Sequence, residues 1–76
     1  MNVNDNHESA KSQNAMILAY LQEGHSITSY ESLNLFGCMR LASRINDLRN
    51  KGYNIETTKV QTSTGKWVAQ YTLKQD

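Results

Sequence analysis

A chain of 76 residues holds one domain with a small core, and 38% hydrophobic with 20% charged residues describes a compact fold rather than a disordered one. One cysteine excludes an internal disulfide, and one cysteine with two scattered histidines falls short of a zinc ligand set, so no metal or cofactor is expected. The net charge of +1 conceals an asymmetry: up to residue 37, Lys11 stands against Asp5, Glu8, Glu23 and Glu31, a balance of −3. From residue 38 to 74, Arg40, Arg44, Arg49, Lys51, Lys59, Lys66 and Lys74 stand against Asp47 and Glu56, a balance of +5.

Residues 1–11 are polar and lack an apolar period, which reads as a flexible tail ahead of a domain over 12–74. Helix is expected from about Lys11 to Glu23, with Ile17, Leu18 and Leu21 as its apolar stripe, Met16 and Tyr20 packing at its flanks, and Gly24 as its stop. His25-Ser26-Ile27 follows as an extended link anchored by the isoleucine, with His25 at the surface. Thr28-Ser29-Tyr30-Glu31 is a capping box, in which the threonine oxygen caps the helix and Glu31 returns to the cap amide. The short helix it opens, about Ser29 to Leu35, turns Leu33 inward with Tyr30 or Phe36, and Gly37 ends it.

The next helix, about residues 39–51, organises the chain. Leu41, Ile45 and Leu48 fall at i, i+4 and i+7 and stack on one face, with Lys51 and Gly52 suited to the C-terminus. The opposite face carries Met39, Ser43, Asn46, Asp47 and Asn50, beside a cationic flank of Arg40, Arg44 and Lys51. Such a helix docks on its own protein by the spine while offering polar and basic groups to a DNA major groove; a solvated surface helix has the same pattern. Arg49 lies toward the packed side and is read as structural, and Asp47 as orienting Arg44 or Lys51 at helical spacing. Cys38 reads as a small, partly buried thiol.

Two runs with period two follow, Tyr53–Thr62 and Trp67–Leu73, around a Ser63-Thr64-Gly65-Lys66 turn. They form a hairpin that Ile55, Tyr71 and Leu73 pin to the helices, because a lone hairpin is marginal in water. A short capped helix, a glycine turn, a second amphipathic helix and a hairpin make an α+β winged helix-turn-helix: three helices and a two-stranded wing. The turn is a residue or two longer than in compact helix-turn-helix units, which the winged variant allows.

The run Leu35 to Arg49, with Gly52 and Ile55 beyond it and Ile17–Leu21 ahead, resembles small phage and prophage helix-turn-helix proteins. Their shared pattern is Phe-Gly, then Arg-Leu-Ala-x-Arg-Ile-x-x-Leu-Arg-x-x-Gly-x-x-Ile, and the likeness covers about Ser12 to Leu73. It implies a winged-helix fold and a DNA-binding role, with Arg40 and Arg44 at the paired arginines and Asn46 and Asn50 at variable positions. The expectation is then sequence-specific binding of duplex DNA by a phage or mobile-element regulator in the cytoplasm. Arg40, Arg44, Lys51, Lys59 and Lys66 would meet phosphates, with Thr64 at the wing tip, and Ser43, Asn46 and Asn50 would read bases.

The alternatives are a protein-binding adaptor or inhibitor and an excisionase-like architectural factor. No glycine-rich phosphate loop, nucleophile motif or carboxylate pair points to an enzyme, and neither a membrane span nor a secretory leader is read. Oligomeric state is open; two copies on one DNA site would suit a recognition helix that covers a short half-site.

Overall fold

The computed structural model describes residues 6–75. Its elements are α1 (Asn6–Gln22), β1 (Ile27–Thr28), α2 (Ser29–Phe36), α3 (Leu41–Asn50), β2 (Ile55–Gln61) and β3 (Trp67–Leu73). Three helices pack on one antiparallel sheet of order β1-β3-β2. Ile17 and Leu21 of α1, Ile27 of β1, Leu41, Ile45 and Leu48 of α3, and Ile55 of β2 close the core with Cys38, all at 5% exposure or less. Leu18, Tyr20, Phe36, Tyr53, Tyr71 and Leu73 pack around it. Among the described residues no helix is long and apolar enough to cross a membrane.

The expected spine of α3 and the three residues chosen to pin the hairpin are therefore in place. Several other expectations change. Helix α1 begins at Asn6, so the stretch read as tail is helical from there to residue 11, while residues 1–5 lie outside the described residues. A helix anchored by Ile17 and Leu21 extends at little cost through residue types such as Glu, Ala and Lys, which need no apolar period. Met16 is exposed rather than packed, whereas Tyr20 stacks on His25 at 4.4 Å between ring centroids and meets Phe36 edge-on.

The sheet has a third strand. Ile27 pairs with Tyr71 and Thr28 with Gln70, so β1 covers the edge of β3 that a two-stranded wing would leave open. The capping box brings this about. As helix cap, Thr28 must be extended (φ −110°, ψ 169°), its hydroxyl accepts from the Glu31 amide, and its own amide donates to Glu31 Oε1 at 2.9 Å. The β-branched Ile27 beside it prolongs that conformation, and a 2.6 Å hydrogen bond between the Ser26 and Thr72 hydroxyls secures the chain just before.

Helix α2 turns Phe36 inward, one of the two alternatives expected, but buries Ser32 in place of Leu33; Tyr30 and Leu33 point to solvent at 75% and 46% exposure. A buried serine is acceptable because its hydroxyl is used: Ser32 Oγ donates to the Cys38 carbonyl, and the Cys38 amide donates back to the Ser32 carbonyl, each at 3.2 Å. Gly37, at φ +65°, adopts the left-handed conformation that bends the chain back, its amide donating to Leu33 O. The start of the turn Gly37–Arg40 is thereby clamped to α2, with Cys38 buried as its plug.

Candidate nucleic-acid interface

Helix α3 starts at Leu41, two residues later than expected, with Arg40 as its N-cap and Lys51 as its C-cap. Met39 consequently sits in the turn, 80% exposed, and not on the helix face. With Leu41, Ile45 and Leu48 inward, the outward line is Ala42, Asn46 and Asn50 at successive i+4 steps, all exposed, with Ser43 half-buried beside them. Ala42 was not singled out in the sequence, although its spacing from Asn46 and Asn50 was the available signal.

The two flanks of α3 are engaged by neighbouring elements. On one side Asp47 Oδ2 accepts from Arg44 Nε and lies 3.1 Å from Arg44 Nη2 as well, and it accepts from Asn14 Nδ2 of α1 at 3.3 Å. The Arg44 side chain is only 16% exposed. This pair therefore fastens α3 to α1, as expected of Asp47 toward Arg44, and leaves Arg44 less free than the other cations. The Asn14 Oδ1 atom is buried with no partner among the described residues. On the other side Arg49 Nε and Nη2 donate to the Ile55 carbonyl at 3.1 and 2.7 Å, Nη2 donates to Thr57 Oγ1 at 2.8 Å, and the guanidinium lies over the Tyr71 ring. Arg49 ties α3 to the sheet.

Arg40, Lys51, Lys59 and Lys66 are exposed and have no ion-pair partner among the described residues. Lys74 pairs with Glu56 at 3.5 Å. Lys51 projects beside Lys11 at a shallow groove that Leu18 and Tyr53 also line. The wing loop is internally bonded: the Thr62 and Thr64 hydroxyls share a 3.0 Å hydrogen bond, the Lys66 amide donates to Thr62 Oγ1, the Gly65 amide donates to Thr62 O, and Gln61 Nε2 donates to Gly65 O. The backbone amides of Gly65 and Lys66 are thus committed within the tip.

The arrangement comprises an uncharged, hydrogen-bonding strip on the exposed face of α3, cations at both ends of that helix, and further cations on the hairpin. The description winged helix-turn-helix domain belongs to the protein family whose sequence model matches residues 12–76. No curated protein and no solved structure gives a match.

Proposed function

Because the chain belongs to the winged helix-turn-helix domain family, we propose that it binds duplex DNA with sequence preference. The observation that carries this reading is the outward strip of α3. The carboxylate of that helix, Asp47, is ion-paired with Arg44, which offsets its charge where the strip would meet the groove. Asn46 and Asn50 offer amides, each able to pair bidentately with an adenine edge; Ala42 offers a methyl to a thymine methyl, and Ser43 a hydroxyl. Arg40, Lys51, Lys59 and Lys66 meet phosphates, where cations release condensed counterions. Arg44 and Asp47 hold the helix in its pose. A regulatory role in a phage or mobile element rests on the resemblance of the Leu35–Ile55 motif.

Selection of bound sequences from a random duplex library, with sizing of the free and bound protein, tests this reading. A recovered consensus, together with affinity that falls as salt rises, supports it. A protein-binding role is the second reading, favoured by Tyr30, Leu33 and Leu35 exposed on α2. Absence of duplex binding at low salt would select that reading instead.

A further inference from the structure

The wing continues the sheet face that Arg49 of α3 grips at Thr57 and Tyr71. Residues opposite each other in an antiparallel pair share a face, and that face recurs every second residue. Ile55 pairs with Leu73 and Thr57 with Tyr71, which brings the core contacts and the Arg49 anchor onto one face. The next pairs on that face are Lys59 with Ala69 and Gln61 with Trp67. Trp67 therefore projects from the α3 side of the sheet, about 13 Å further along β3 than Tyr71 at the usual strand rise. Its side chain is 65% exposed, Lys59 lies diagonally across from it, and the small Ala69 leaves the shelf between them low.

We propose that Trp67 is a DNA-contacting residue: together with Lys59 it grips the sugar–phosphate backbone where the major groove occupied by α3 gives way to the adjoining minor groove. The proposal rests on the duplex-binding reading above and deepens it. A major groove is about 12 Å wide, so its bordering strand comes within reach of a side chain about 13 Å beyond the junction of α3 and sheet. The chemistry fits a backbone. An indole packs its apolar faces on deoxyribose and donates its N–H to a phosphate oxygen, while the lysine supplies charge. The loop tip spends the Thr62 and Thr64 hydroxyls on each other, so the flat of the wing is the better equipped surface.

Trp67 is the one tryptophan of the chain, so its selectively excited fluorescence reports on this side chain in the unaltered protein. The experiment titrates the protein with a duplex labelled for anisotropy while acrylamide quenching of the tryptophan is followed. Quenching is expected to fall severalfold as the anisotropy saturates. Trp67→Ala is expected to weaken duplex affinity at least about tenfold, and Trp67→Phe, which keeps an aromatic ring but loses the N–H donor, to weaken it by less than the alanine variant does. Should the alanine variant fail to fold, quenching of the unaltered protein still decides. Saturating anisotropy with unchanged quenching overturns the contact and leaves duplex binding standing. No anisotropy change even at low salt overturns duplex binding itself, and the contact with it.

Discussion

Asn46 and Asn50 stand one helical turn apart on the exposed line of α3, where neither is needed for packing. Replacing either with alanine is expected to cost about 1–3 kcal/mol of discrimination at one base-pair position, visible as a relaxed consensus, with the melting temperature unchanged. The arginines that looked alike in sequence separate in the fold. Arg40 is exposed at the start of α3, so Arg40→Ala should weaken binding to every duplex similarly and leave thermal stability alone. Arg44 is largely covered and held by Asp47, so Arg44→Ala should lower the melting temperature. Asp47→Ala is the sharper probe: it should also lower stability, yet raise non-specific affinity at low salt, because it frees a cation and removes an anion beside the proposed DNA-binding strip. A stable Asp47→Ala protein with unaltered affinity would place the pair outside both roles. The pairing of Arg44 with Asp47 was legible from their i, i+3 spacing; Asn14, more than thirty positions upstream, was not.

At the level of elements, what could be read depended on period and on local chemistry. The spine of α3 repeats with helical spacing, the capping box is a four-residue motif, and the hairpin strands alternate around a glycine turn, so all three were visible. Strand β1 has two residues, too few to carry a period, and its partner lies in β3 at the far end of the chain. Ser32 misled for a different reason: a polar residue at an inward position breaks the apolar pattern, and only the Cys38 carbonyl it meets explains its burial. The outward strip of α3 was visible in part, since Asn46 and Asn50 follow from the wheel, whereas Trp67 can be assigned a side only once strand register is known. The turn clamp gives its own prediction. Ser32→Ala leaves the buried Cys38 carbonyl without its side-chain partner and should destabilise the fold by about 1–3 kcal/mol, seen as a lower urea midpoint at unchanged slope. Leu41→Ala or Ile45→Ala should cost about 2–5 kcal/mol each, a large share of the total in so small a domain. Variants at both positions that melt like the parent would contradict the core.

Across the whole molecule the small net charge misleads, because several acidic groups are already engaged. Glu31 caps α2, Asp47 holds Arg44, and Glu56 meets Lys74, while Arg40, Lys51, Lys59 and Lys66 remain without such partners among the described residues. If those four cations each neutralise one phosphate, the logarithm of duplex affinity should fall against the logarithm of salt with a slope of about −3 to −4. The wing's share can be isolated. Lys59→Glu with Lys66→Glu removes two of the four contacts, so the slope should become shallower by about two units. The affinity loss should be largest at low salt, where repulsion acts over a Debye length of about 30 Å instead of about 8 Å at physiological strength. Both lysines project from the hairpin and neither touches the core, so the melting temperature should hold. The consensus should also hold, since the proposed base contacts lie on α3 and the proposed wing contacts are to backbone. A changed consensus would mean that the wing reads the minor groove, and an unchanged slope would turn the basic hairpin away from DNA altogether.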